Sequence, residues 1–235
     1  MSVLALVGLG LALGIRHATD ADHVVAVTAI ASRYKQVLPA AIVGAFWGLG
    51  HSLTIFVVGG LIILLNLAVP PRVGLSFEFA VGIALTIVGA LNVAGKGGFV
   101  SAGFSSPHDH DHPHPHEHGR GFWSGIPSGR AFLVGLVHGL AGSAAVALLV
   151  LATVRDPWAG CAYLAVFGFG TVIGMVLITI AFASPVAMVA RHSSFSGTGL
   201  RLLTGILSVA FGLWVMFQVG WADGLFRAHP HWIPQ

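Results

Sequence analysis

Charge is what this chain has least of. Only 8% of its 235 residues are Asp, Glu, Lys or Arg, where a soluble domain usually carries about a quarter. With 56% hydrophobic residues and a mean hydropathy of +0.89, too few charges remain to coat a water-soluble globule. Cysteine is nearly missing as well. Cys161 stands alone, which excludes an intramolecular disulfide and a cysteine-based zinc site. The basic residues are scattered singly between apolar runs, so the net charge of +3 fits topology determinants rather than a nucleic-acid surface. The first apolar stretch lacks a basic leader and a small-residue cleavage site, so it reads as a retained span and not a signal peptide. Glycine, by contrast, is abundant at 32 residues, as suits close helix packing in lipid.

What is present is a series of long apolar runs. A spanning helix needs about 20 such residues, and six candidates emerge near 3–31, 38–66, 75–95, 130–153, 158–181 and 199–220. The expected fold is an all-α integral membrane protein of six transmembrane helices. The first run is long and interrupted by polar residues, so it tilts, breaks or both. Residues 1–95 and 130–220 are the two membrane parts, 96–129 the one long loop and 221–235 a C-terminal tail. Trp221 and Trp232 suit anchoring of that tail at the membrane interface. Lys and Arg orient the bundle: Arg33, Lys35, Lys96, Arg120, Arg130, Arg191 and Arg201 lie on one side, against Arg72, Arg155 and Arg227 on the other. That bias puts the long loop in the cytoplasm and both termini outside the cell membrane.

The two membrane parts resemble each other. "GIRHATDADHVVAV" from Gly14 lies over "GLVHGLAGSAAVAL" from Gly135, "FWGLGHS" (46–52) over "VFGFGTV" (166–172), and "GIALTIVGAL" (82–91) over "GILSVAFGLW" (205–214). The offsets of 121, 120 and 123 are nearly constant over three spans. Because each part has three spans, the second enters from the opposite face, which makes two inverted three-helix repeats. Secondary transporters are built this way and bind substrate near the midplane, often beside broken helices.

The polar residues converge on one motif, "RHATDADH" at 16–23. On a helix, residues three or four apart share a face, so His17, Asp20 and His23 form a stripe, with Arg16 beside Asp20 as a charge partner. Asp22 points away if the helix is regular and inward if it unwinds. Charges at this depth are costly and usually line a site, a pathway or a pair. His51, in "GLGHS", adds a mid-membrane imidazole between Gly48, Gly50 and Ser52. His138, the repeat partner of His17, suits either a ligand or a hydrogen-bonded packing role. Imidazoles with one or two carboxylates favour divalent first-row metals over Mg or Ca. The candidate ligands are therefore His17, Asp20, Asp22, His23, His51 and His138.

"RHATDADHVVA" resembles the signature of the nickel/cobalt transporter family, with His17, Asp22 and His23 at the signature positions. "GLGHS" at 48–52 resembles that family's next-span motif. The usual members have eight spans and an acidic motif in the second half. Here "GLVHGLAGSAA" has no acid, so the chain looks more like the short, urease-accessory-type branch. The resemblance implies a high-affinity permease for Ni2+ or Co2+ as transported substrate, with no catalytic cofactor and no enzyme activity. It also implies that His17, Asp22 and His23 hold the ion near the midplane and His51 completes the shell.

The long loop carries "HDHDHPHPHEH", in which His108, His110, His112, His114, His116 and His118 alternate with acids and proline. Such a tract cannot pack a core and binds metal loosely, as an accessory capture segment and a meeting point for a metallochaperone. Two alternatives to uptake stand beside it. Exporters of nickel and cobalt share membrane histidines and His-rich loops, although the full "RHATDADH" run favours uptake. An intramembrane metalloenzyme would need an open metal position and a placed acid or base, and gains nothing obvious from a repeat. No Walker A pattern is present, and the partners expected are a metal ion and the bilayer, not nucleic acid.

Overall fold

Apolar runs punctuated by proline and polar turns become helices. The computed structural model describes residues 3–32, 34, 36–67, 69–95, 129, 131–141, 156–192 and 197–232. Among these there is no strand. We label the helices α1 (Val3–His17), α2 (Ala21–Ala31), α3 (Val37–Leu64), α4 (Pro71–Val93), α5 (Ala131–Ala141), α6 (Pro157–His192) and α7 (Gly197–Phe217). α3 contains a π-helical turn at Ile55–Gly59, and α7 runs on into another at Gln218–Ala222. Among the described residues four helices are long and apolar enough to cross a membrane, and α1 and α2 reach that length only as a pair bent by 58° at its break. The described residues are thus those of a helical, multi-pass membrane protein. The part of the expected fourth span beyond residue 141 and the histidine tract at 108–118 lie outside the described residues.

Local chemistry sets the ends. Pro71 opens α4 at a position where no amide is needed. Asp156 caps α6 by accepting the Ala159 N–H at 3.0 Å. α1 ends because Thr19 turns back on it, its N–H and Oγ1 both donating to the Arg16 carbonyl at 2.8 and 2.6 Å. Asp20 is then extended (φ −60°, ψ 148°), and α2 starts at Ala21. α6 runs well past the expected limit near 181, through Pro185 to His192. Proline removes one helical bond without ending the helix, because neighbouring groups in a bundle take up the freed backbone.

Glycine sets how closely the helices approach. α4 and α7 touch backbone to backbone: a Cβ on Gly89 would lie 2.6 Å from the Gly205 oxygen, and one on Gly212 2.7 Å from the Gly82 oxygen. Two further crossings match each other atom for atom. Gly14 of α1 lies against the Phe167 oxygen and Thr171 nitrogen of α6, while Gly135 of α5 lies against the Trp47 oxygen and His51 nitrogen of α3. Likewise Gly170 meets the Leu11 oxygen and Gly50 the Phe132 oxygen. Within each matched pair, the residues are 120 or 121 apart in the chain.

A buried hydrogen-bonded ring ties α2 to α4 and α7. Asn92 Nδ2 donates to the Ala29 carbonyl (3.1 Å) and to Thr204 Oγ1 (3.2 Å). Thr204 donates to Ser32 Oγ (3.1 Å), and Ser32 donates back to the Ala29 carbonyl (3.0 Å). It closes the end of the bundle to which α2 runs, away from the break at residues 18–20.

Candidate metal centre

The break between α1 and α2 builds the site. It leaves His17 on the last turn of one helix and Asp22 and His23 on the first turn of the next. A continuous helix would turn Asp22 away; the break turns it inward. The negative end of the α1 dipole favours a cation, and the start of α2 favours the Asp20 and Asp22 carboxylates. α3 adds His51, pressed through Gly135 and Gly139 against α5, and α5 adds His138.

His23 is the hub. Its ring centroid lies 4.8 Å from those of His17, His51 and His138. Two donor groups share it: His17, His23 and His51 form one, and Asp22, His23 and His138 the other, with the ligand atoms in each group within 4.8 Å of one another. Opposite ligands of a six-coordinate ion sit about 4.2 Å apart at metal–nitrogen distances near 2.1 Å. His17 Nε2 and His51 Nε2 are 3.0 Å apart, the spacing of two nitrogens held roughly at right angles by one such ion.

The surrounding bonds orient these rings. His17 Nδ1 donates to Asp20 Oδ2 at 2.7 Å, which turns Nε2 toward His51. A carboxylate in this position is the usual outer-shell partner of an imidazole that binds metal. His138 Nε2 donates to Asp22 Oδ2 at 2.9 Å, and the other Asp22 oxygen lies 3.5 Å from His23 Nδ1. His23 is 1% exposed, yet neither of its ring nitrogens has a hydrogen-bond partner. Buried polar atoms are seldom left so, and a ring flanked by three imidazoles and a carboxylate suits a soft-to-borderline divalent cation.

Of the residues expected from sequence, His17, Asp22, His23, His51 and His138 come together. Asp20 stands one step out, half exposed and bonded to His17. Arg16 is exposed, and among the described residues no ion pair joins it to Asp20 or Asp22; their carboxylates face histidines instead. Arg16 sits on the last turn of α1, before the break.

The cluster lines a cavity of about 420 Å³ whose wall also includes Glu78, Gln218 and Asp223. None of these three was picked out from the sequence. Glu78 carried a usable signal, because an acid within an apolar span costs about 2.5–3.5 kcal/mol on insertion scales. Gln218 and Asp223 carried none, being ordinary residues at a span's end.

The fold and the cluster define a multi-pass helical membrane protein with a histidine-rich cluster among its apolar helices. The NicO family model, described as high-affinity nickel-transport protein, matches residues 3–95. The urease accessory protein UreH of Bacillus sp. (strain TB-90) is 35% identical over 227 residues, which cover 97% of each chain. No solved structure matches. The chain belongs to the nickel/cobalt transporter family, in its urease-accessory-type branch; this is a family of transport proteins, not of enzymes.

Proposed function

We propose that the protein imports Ni2+, or Co2+, across the cell membrane and holds the ion on His17, Asp22, His23, His51 and His138. The observation that carries this reading is the convergence of three imidazoles and a carboxylate on His23 at the helix break. Family membership supports nickel or cobalt as the substrate. Asp20 acts by orienting His17.

The architecture that goes with this is two inverted three-helix repeats. It is supported by the matched contacts of Gly14 and Gly135 and of Gly170 and Gly50. Under a two-fold relation, residue i meets the partner of j while j meets the partner of i. Gly82 with Gly212 and Gly89 with Gly205 follow that rule for repeat partners 82/205 and 89/212. Both termini lie outside and 96–129 in the cytoplasm, on the seven-to-three Lys and Arg bias. The 108–118 tract collects metal at the cytoplasmic mouth and offers it to a metallochaperone.

The test is 63Ni2+ uptake by cells expressing the full chain, expression matched, for wild type, His23→Ala and deletion of 108–118. Uptake falls at least tenfold in His23→Ala and much less in the deletion. Wild-type cells that instead lose preloaded nickel faster reverse the direction to export. Wild-type cells that move nickel in neither direction refute the reading.

A further inference from the structure

We propose that Glu78 is a second cation-binding residue, an outer station on the route to the histidine cluster, and that the Trp232 indole holds it there. This rests on the transport reading above and adds residues to its route. Glu78 sits seven residues into α4, inside a membrane span, and its carboxylate lines the same cavity as His23. His23 supplies an independent sign that the cavity takes a cation: it is 1% exposed and neither ring nitrogen is hydrogen-bonded, with only the Asp22 carboxylate 3.5 Å from Nδ1. Glu78 belongs to neither donor group around His23, so it serves a different position of the ion. Asp223, at the end of α7, lines that cavity too. In the proposed orientation, the start of α4 and the end of α7 both face outside. The cavity therefore offers carboxylates toward the entry and imidazoles at depth. Carboxylates attract a still hydrated dication, and imidazoles replace its water.

The tail fixes the geometry. Trp232 Nε1 donates to Glu78 Oε1 at 2.8 Å. Among the described residues no hydrogen bond occupies Oε2. The indole lies on the bare backbone of Gly74, where a Cβ would come within 2.6 Å of ring atom Cδ2. His231 N–H donates to the Asp223 carbonyl at 2.9 Å, so the tail joins both acidic corners of the cavity. One oxygen of Glu78 is thus pinned, and the charge is aimed instead of swinging into lipid.

The experiment measures initial 63Ni2+ uptake against concentration in cells expressing wild type, Glu78→Gln, Trp232→Phe and the double variant. Co2+ absorption of each purified protein in detergent reports the deep site. Focusing by a lined cleft is worth about tenfold or more in local cation supply. Glu78→Gln therefore raises the half-saturating concentration about three- to tenfold, while maximal rate and the Co2+ d–d bands are retained. Trp232→Phe moves it the same way by less, and the double variant is no worse than Glu78→Gln, because the indole acts through the carboxylate. Wild-type half-saturation in Glu78→Gln, or effects of the two changes that add independently, overturns the proposal. If Glu78→Gln does not reach the membrane, Trp232→Phe decides it, since the phenyl ring still covers Gly74; unchanged half-saturation there overturns it. A wild type that binds no Co2+ and takes up no Ni2+ refutes the transport reading, and this proposal with it.

Discussion

Adding a single methyl at Gly139 tests whether backbone contact between α3 and α5 sets the metal site. A Cβ there would lie 2.5 Å from the His51 carbonyl oxygen, 2.9 Å from Thr54 Cβ and 3.1 Å from His51 Cα. Ordinary contact begins at 3.4 Å, so the helices must part locally by about 0.9 Å. Two of the obstructing atoms are backbone, so no rotamer change relieves them. Overpacking of this kind costs about 1–3 kcal/mol, more than the roughly 1 kcal/mol that alanine gains over glycine in a helix. The same displacement separates His51 from His138 and His23. Metal sites tolerate only about ±0.2 Å in ligand distance, and a shift near 1 Å can cost about a hundredfold in a positioned site. Gly139→Ala is therefore expected to lower the melting temperature in detergent and to weaken Co2+ binding at least tenfold. Gly8→Ala is the control, because nothing lies within 4 Å of a Cβ there. Calorimetry and Co2+ titration of both variants check it. Wild-type Co2+ affinity in Gly139→Ala, or equal damage from Gly8→Ala, would refute the argument.

Two further changes probe the surroundings of the site. Asp20→Ala removes the carboxylate that orients His17, and loss of such an outer-shell partner typically costs ten- to a hundredfold in affinity; the Co2+ d–d bands should stay in place, and a shift would instead put the Asp20 oxygen on the ion. Asn92→Leu breaks the ring joining Ala29, Ser32 and Thr204, and at about 0.6–2 kcal/mol for an interhelical hydrogen bond in a bilayer it should lower the melting temperature by a few degrees without altering Co2+ spectra.

Much of this protein follows from one-dimensional pattern. Scarce charge and long apolar runs force membrane helices, since only a helix or a closed barrel satisfies its backbone in lipid. An interrupted first run containing two acids and two histidines cannot stay a plain span, and it breaks where Thr19 offers the backbone another partner and Asp20 turns extended. The repeated glycines announce close crossings, because their spacing survives in both halves. His17, His23 and His51 were legible as candidate site residues for the same reason: polarity at that depth is too costly to be idle.

Tertiary structure decided the rest. That His138 joins the cluster depended on the Gly135 and Gly139 contacts that set α5 beside His51, and no local pattern encodes a crossing. The direction of Asp22 depended on how sharply the chain bends after His17. Asp20 bonds to His17 while Arg16 stays exposed, and a 58° break separates groups that a straight helix would stack. Glu78 met Trp232 across 154 residues, a distance over which sequence carries no register. Burial cost and periodicity act along the chain and can be read from it; which buried groups face one another is set only when the helices pack.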